Sequence, residues 1–239
     1  AGILLKSVPT LQAVDFTIQA NSADANDSQV IFQKSRNATD GSHTVVQDND
    51  KLGSIEWYGS DGTDYAPASS IFSRVNGTPG NNDMPSELVF ATTADGANAV
   101  TERMVITQAG NVGIGTTSPT NTLTINGSNS DSTPILGLRS GNDNQTFNNG
   151  AQIAFGWDGT DDYQHFIHTR HNGSAAQGNA IDFYVCDSTQ NNTVTSGSTH
   201  TMTLDAGKVG IGTSAPGSLL EVRGPTGTGT ASAGILTLS

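Results

Sequence analysis

Three clusters of aspartates are the side chains in this sequence best suited to metal chemistry. Carboxylate oxygens at short spacing suit Ca²⁺, but no cluster fits the twelve-residue EF-hand loop, which ends on a glutamate. The alternative, which we favour, is that these aspartates form Asp-Gly turns between strands. The clusters are Asp48 with Asp50, Asp61 with Asp64, and Asp158 with Asp161 and Asp162.

Three histidines stand at positions i, i+3 and i+6, namely His165, His168 and His171. The surrounding sequence is typical of a strand, where His165 and His171 would share one face and His168 would point to the other. One chain then offers no compact set of ligands, although three copies of one histidine around a symmetry axis could hold a transition metal. Solvated or hydrogen-bonded histidines are the default, so we assign no metal site and expect no cofactor.

Other catalytic patterns fail on spacing. Residues 110–115 read GNVGIG and residues 207–212 read GKVGIG, whereas a dinucleotide-binding loop requires GxGxxG between a strand and a helix. No GxSxG nucleophile motif occurs, and the aspartates have no specific pattern for glycoside hydrolysis. We therefore expect a protein that is not an enzyme.

Two tryptophans, Trp57 and Trp157, each precede an Asp-Gly turn at nearly equivalent points of the chain. Exposed aromatic rings beside Asp and Asn could stack on sugars, which makes both residues candidates for glycan contact. A role in the core is the favoured alternative, because the position repeats and binding sites tend to lie where repeats diverge.

The elements that carry these residues are short strands separated by turns. Apolar residues alternate with polar ones in many bursts, and no dozen residues show a capped helical stripe. Turn-forming residues such as those at 60–62, 76–80 and 94–96 stand between the bursts. The sequence predicts an all-β chain with little or no helix. The clearest bursts include residues 88–90, 104–106, 123–125, 153–157, 181–185 and 202–204.

The chain also repeats itself. The segment GNVGIGTTSP at 110–119 recurs as GKVGIGTSAP at 207–216, a spacing of 97 residues. Self-similarity at a fixed period indicates an array of modules. We predict module one at 1–119, with an extra hairpin within 5–50, module two at 120–216, and the start of a truncated third module at 217–239. We expect the chain to be a stretch of a longer protein.

Glycine at every second position of the repeated motif would weaken an isolated strand. The motif makes sense if three chains approach closely around an axis, with the aliphatic residues at the centre and glycine permitting the contact. The candidates for such a trimer axis are Val112, Gly113, Ile114 and Gly115, with Val209, Gly210, Ile211 and Gly212 in the second copy.

Composition narrows the class of partner. Hydrophobic residues make up 34% of the 239 residues and charged residues 13%, which favours thin sheets over one thick core. The net charge of −12 with scattered basic residues disfavours nucleic acid and anionic membranes. No apolar run is long enough for insertion into a membrane. The single cysteine, Cys186, excludes an internal disulfide and a cysteine-based zinc site.

The repeated motif resembles the repeat regions of bacteriophage and prophage tail fibres. The resemblance rests on AGNVGIGTTSP at 109–119 with the strand at 123–125, on VNGTPGNNDMP at 75–85, and on 88–96, 101–104 and 47–53. It extends over module one from about Gln29 and over the signature end of module two, whereas the middle of module two departs from it.

Such a resemblance implies a trimeric, β-rich shaft, often followed by a self-cleaving intramolecular chaperone domain. No segment here resembles that chaperone, so no proteolytic residue is carried over. The implied function is a structural segment of an extracellular virion tail fibre that presents a receptor-binding tip. The partners that it implies are two further copies of the chain, other tail proteins and a host surface glycan. The alternatives are a carbohydrate-binding host-adhesion module of the fibre, and a bacterial surface adhesin or sheath protein built from the same repeats.

Overall fold

The chain divides into two compact units, Ala1–Ile135 and Leu136–Ser239. A computed structural model describes residues 17–21, 23–25, 27–127, 135–138, 153–156, 163–170, 180–187 and 198–224. Each unit holds one six-stranded sheet, and the described residues contain no helix. The prediction of an all-β chain is confirmed for this part. Among the same residues, no helix is long and apolar enough to cross a membrane.

The first sheet joins its strands in the order of the sequence. Neighbouring strands are antiparallel except for the last pair, β5 and β6, which is parallel. Alternating apolar residues and the Asp-Gly and Gln-Ala-Gly turns between strands account for this meander. The strands are β1 (Lys51–Ser60), β2 (Tyr65–Val75), β3 (Ser86–Thr93), β4 (Val100–Ile106), β5 (Val112–Ile114) and β6 (Leu123–Ile125).

The second sheet repeats this topology, again with one parallel pair at its end, β11 with β12. A bulge interrupts the ladder between its third and fourth strands, at the same place as in the first sheet. The strands are β7 (Ile153–Phe155), β8 (His165–Arg170), β9 (Ala180–Cys186), β10 (Ser198–Asp205), β11 (Lys208–Ile211) and β12 (Leu220–Val222).

The strand that follows each repeated glycine motif belongs to the same sheet as the motif, which the sequence alone did not show. Strand β6 follows residue 119 but pairs with β5 in the first sheet, and β12 follows residue 216 but pairs with β11 in the second. Module boundaries after residues 119 and 216 stay a prediction. Of the expected extra hairpin, residues 14–16 lie outside the described residues, and residues 30–32 form no strand.

A loop crosses one face of each sheet between the two parallel strands. Strand β5 has only three residues, so residues 115–122 need to return along only about 10 Å of strand. The backbone carbonyl of Thr116 and its methyl group lie where a side chain of Gly113 would stand. In the second copy, the carbonyl of Thr213 lies 2.5 Å from where a Cβ of Gly210 would be. Glycine at this position therefore permits a close approach within one chain.

The next glycine of the motif starts that loop. Gly115 has a φ of 71° and Gly212 a φ of 69°, which L-residues other than glycine adopt at a cost. A Cβ on Gly115 would also collide with the carbonyl of Asn126, just beyond β6. The Gly115 N–H donates to the carbonyl of Arg103, the bulged residue of β4, over 2.9 Å. Conformation and space both require glycine here.

We predict that Gly115→Ala destabilises the first unit by about 3 kcal/mol, because strain at positive φ adds to the collision with Asn126. Urea unfolding, followed by hydrogen exchange in β4 and β5, measures the loss. Gly59→Ala is the matched control: the site is exposed in β1, its φ is not positive, and a Cβ there meets no atom within 4 Å. Equal stability of the two variants would contradict this account.

Candidate functional site

One face of each sheet carries a continuous row of apolar side chains that crosses all six strands; we call this the apolar face. In the first sheet, register partners place Ile55, Ile71, Phe90, Met104, Ile114 and Ile125 side by side. In the second sheet the row is Ile153, Ile167, Phe183, Met202, Ile211 and Val222. The two rows are identical at five of six positions.

A second apolar row lies on the same face, one pleat further along. It comprises Leu88, Ile106, Val112 and Leu123 in the first sheet, and Ile181, Leu204, Val209 and Leu220 in the second. On β1 the row meets Gly53, where Phe32 packs into the space of the missing side chain. A groove beside it is lined by Phe32, Ile55, Ile71 and Leu88.

No residue of either row is buried in the described chain. Ile55 is 51% exposed, Ile114 41% and Ile211 44%, and the ends of the second rows, Leu123 and Leu220, are 56% and 50% exposed. A contiguous apolar surface of this kind marks an interaction site in a soluble protein. The apolar face is therefore the strongest candidate functional surface.

The opposite face is covered by the chain itself, and in the first unit its core is apolar. Phe72, Val89 and Val105 are adjacent across β2, β3 and β4, and each is at most 4% exposed. The ammonium group of Lys51 lies 4.2 Å from the centre of the Phe72 ring. Arg74 extends over the same ring and donates to Glu87 over 2.7 Å and to Glu102 over 2.8 Å. Paired charges thus cover a small hydrophobic core.

In the second unit the corresponding positions are polar. The ladders place His168, Asp182 and Thr203 where Phe72, Val89 and Val105 stand in the first sheet. All three polar residues are buried, and Asp182 and Thr203 are 0% exposed. Likewise Arg170 corresponds to Arg74, and His200 to Glu102.

The Asp182 carboxylate is the centre of this polar cluster. Arg170 donates to both of its oxygens, over 2.5 and 3.1 Å, and the Thr203 hydroxyl donates to Oδ1 over 2.5 Å. Nε2 of His200 lies 3.3 Å from the same Oδ1, and Nδ1 of His168 lies 3.9 Å from Oδ2. Arg170 also donates to the carbonyl of Ser214, which ties the crossing loop of this unit to the cluster.

Opposing effects set the pKa of Asp182. Burial raises it, but the hydrogen bonds from Arg170 and Thr203 outweigh that effect and hold the pKa below its ordinary value of 3.8. Burial raises the pKa of Tyr184, and the charge of Asp182 adds to the rise. The ring of Tyr184 packs edge-on against His200, with centroids 5.3 Å apart. Asp182 is thus a buried, ionised carboxylate whose charge is balanced by Arg170.

The residues that the sequence suggested for a trimer axis lie on different faces of the sheets. Val112 and Ile114, with their copies Val209 and Ile211, lie in the two rows of the apolar face. Gly113 and Gly210 lie on the covered face, so the close contact we attributed to neighbouring chains is made by the loop of the same chain. Gly115 and Gly212 begin those loops. The position of the motif at an axis stays a prediction.

Trp57 does not lie in a core of the described residues, because 48% of its surface is exposed. Two other exposed aromatics lie at the same β1–β2 hairpin but on the opposite side of the sheet from Trp57, Tyr58 at 53% and Tyr65 at 77%. The carboxylate of Asp61 accepts N–H groups of Thr63 and Asp64, so this cluster forms the expected turn. Trp157, Asp158, Asp161 and Asp162 lie outside the described residues.

The remaining aspartate cluster fastens the segment before β1 to the sheet. Asp50 accepts hydrogen bonds from Arg36 over 2.6 and 2.7 Å and from the backbone of Gln47 over 2.9 Å. Asp48 accepts from the backbone N–H of Gly77. Within the described residues, no group of three or more acidic, histidine or cysteine side chains is arranged to hold a metal.

The two histidines within the described residues point to opposite faces of a strand, as the alternation predicts. His165 and His168 lie on β8, with His165 exposed and His168 buried on the opposite face. Nδ1 of His165 accepts the backbone N–H of Cys186 over 3.1 Å, and Cys186 is half-buried at the end of β9. His171 lies outside the described residues.

Sequence reasoning missed the cluster around Asp182. Residues 181–185 were interpreted from their apolar members, which left Asp182 on the face assumed to meet water. The available signal was the repeat itself, but aligning Asp182 with Val89 requires the shorter turn at 206–207 and also five more residues between β9 and β10 than between β3 and β4. That alignment would have marked a charged residue at a core position.

No family model and no curated protein matches this chain. Solved structures that are similar to parts of this chain include two of a bacteriophage tail fibre. The carboxy-terminal domain of the bacteriophage T5 L-shaped tail fibre has 10% sequence identity to this chain and a TM-score of 0.35. The match covers 80% of this chain and 88% of that domain's chain. The same domain with its intra-molecular chaperone domain has 11% identity and a TM-score of 0.42, with 95% and 71% covered. At these TM-scores neither establishes the fold or function of this chain.

We predict that acid weakens the second unit through Asp182. Its pKa is lower in the folded than in the unfolded chain, so the unfolded chain takes up the proton first as the pH falls. The contribution is complete above pH 3.8 and is lost as the pH falls through the folded pKa. Hydrogen exchange in β8, β9 and β10 between pH 6 and pH 3 measures it.

Asp182→Asn should cost about 3 kcal/mol at neutral pH, because it leaves Arg170 without its charge partner, and should flatten this acid dependence. Asp95→Asn, at an exposed turn residue of the first unit, is the control. An unchanged pH profile in the Asp182 variant would show that another group is responsible.

Proposed function

We propose that this chain is a structural segment of a phage or phage-like tail fibre, in which three parallel copies associate through their apolar faces. The apolar faces of the two sheets carry the proposal. The assembly forms a stiff polar rod that holds a receptor-binding tip away from the particle. Its location is the extracellular part of the virion, and its role is mechanical.

The pattern of burial supports association. The covered face of each sheet is closed by the chain's own loop and paired charges, so its residues need no partner. The apolar face has two rows of aliphatic and aromatic side chains and no charged residue in them. Removing those rows from water is the largest free-energy gain left to the chain. Stability should then depend on concentration, as it does for obligate oligomers.

Three copies and a parallel arrangement are favoured by the resemblance of the repeated motif to tail-fibre repeats. The near-identity of the two apolar rows supports a repeating interface, because each unit offers the same set of side chains to a partner. Val112, Ile114, Val209 and Ile211 contribute to it from the next-to-last strand of each sheet.

We predict that Ile114→Glu with Ile211→Glu abolishes association, because each change places a charge within an apolar row that is desolvated in the oligomer. Light scattering should give three chain masses for the unaltered protein and one for the double variant. Ala97→Glu, in an exposed loop outside the sheet, should keep the trimer. If the chain without substitutions stays monomeric at high concentration, the proposal is overturned.

The aromatic hairpin supports a second function, contact with a host glycan by the fibre. Tyr58 and Tyr65 expose their rings on one side of this end of β1 and β2, near Asp61 and Asp64, and Trp57 exposes its ring on the other side. Aromatic faces beside hydrogen-bonding groups are suited to sugar rings. This function is compatible with the fibre role, since both can reside in one segment.

If the hairpin binds glycans, Tyr58→Ala with Tyr65→Ala should lose most retention on a glycan array while the oligomeric mass stays unchanged, because both tyrosines point away from the apolar face. Phe155→Ala, an exposed aromatic of the second unit, provides a control for loss of ring area alone. Absence of specific retention by the unaltered chain would exclude the glycan function and leave the shaft function untouched.

A further inference from the structure

The two sheets resemble each other so closely on the apolar face that strands of one could pair within the other. Their first rows differ only at Ile125 and Val222, and their topologies and bulges coincide. Tandem repeats with interchangeable strands are prone to misassembly between units and between copies. The covered face is where the sheets differ, with Phe72, Val89 and Val105 in one and His168, Asp182 and Thr203 in the other.

We infer that the Asp182 cluster determines strand specificity: it prevents β9 from pairing with β4 of the first sheet, in the same or another copy. This inference concerns folding fidelity and goes beyond the proposed shaft function. It does not require the cluster to add net stability, because replacing a buried ion pair with well-packed apolar residues is often neutral. Specificity of this kind comes from penalising the wrong pairing.

The penalty follows from the ladders. In the native sheet, Asp182 faces Thr203 on β10 and Tyr184 faces His200, so the carboxylate receives a hydroxyl bond and lies beside an imidazole. If β9 paired with β4 in the same register, Asp182 would face Val105, which has no donor. Tyr184 would face Glu102, a carboxylate in place of the imidazole. A buried charge would lose partners and gain a like charge.

The single cysteine of the chain allows this mispairing to be trapped. Cys186 faces Ser198 in the native ladder, and the position corresponding to Ser198 in the first sheet is Val100. A disulfide between Cys186 and a cysteine introduced by Val100→Cys therefore reports β9 paired with β4. Ser198→Cys reports the native pairing and is the positive control. Both variants are made in the full chain, which is unfolded in denaturant and refolded under mild oxidation.

Two sets of substitutions test the cluster from opposite sides. His168→Phe, Asp182→Val and Thr203→Val, with His200→Glu to keep a carboxylate beside Arg170 as Glu102 is beside Arg74, together give the second unit the apolar core of the first. Glu102→His with Val105→Thr gives β4 the partners that Asp182 has on β10. Each set should raise the yield of the 100–186 disulfide severalfold over the unaltered background. Asp182→Val alone leaves Arg170 without a carboxylate partner and should instead destabilise the second unit.

The outcomes are decisive in both directions. A severalfold rise of the 100–186 disulfide in either set, with the folded state retained at equilibrium, supports the inference. Equal yields in the unaltered chain and in every folded variant overturn it. Failure of both sets to fold also overturns it, because the inference requires the two residue sets to be interchangeable within one backbone. Loss of trimer without a change in this disulfide would count against the shaft function alone.

Discussion

The structure depends on one constraint: the described part of the chain closes only one of the two faces of each sheet. The loop between the parallel strands, together with the arginine-centred ion pairs, covers one face and buries a small core. Apart from Phe32 at Gly53, no described residue covers the other face, although it holds most of the large aliphatic side chains. In the association that we propose, contact with a partner at that face adds to the stability of the chain.

The glycine motif is the device that closes the covered face. Valine and isoleucine of the motif point to the apolar face, while the intervening glycine leaves space for the returning backbone. The last glycine adopts the positive φ that starts the return. One short segment thus supplies apolar residues to one surface and a cover to the other, which explains why its spacing is kept in both copies.

Much of the fold could be predicted from alternation and repetition, because strands such as Leu123–Ile125 are specified by local pattern and turn residues. Which face of each strand is buried could not be predicted in this way. In residues 181–185 the apolar members suggest an interior face, yet the structure buries Asp182 and Tyr184 instead. That outcome depends on Arg170 and Thr203, which are 12 and 21 residues away in sequence, and on a loop beyond β11. Such compensation is invisible to local hydrophobicity.

The order of the strands has a kinetic consequence. Every ladder in both sheets joins strands that are consecutive in sequence, so the contact order of each unit is low. Loop-closure entropy then opposes sheet formation only weakly, and each sheet can form early in folding. In the trimer that we propose, encounter between copies is the slower, higher-order event, so newly made chains would pass through an unassembled species with formed sheets, whose lifetime shortens as their concentration rises.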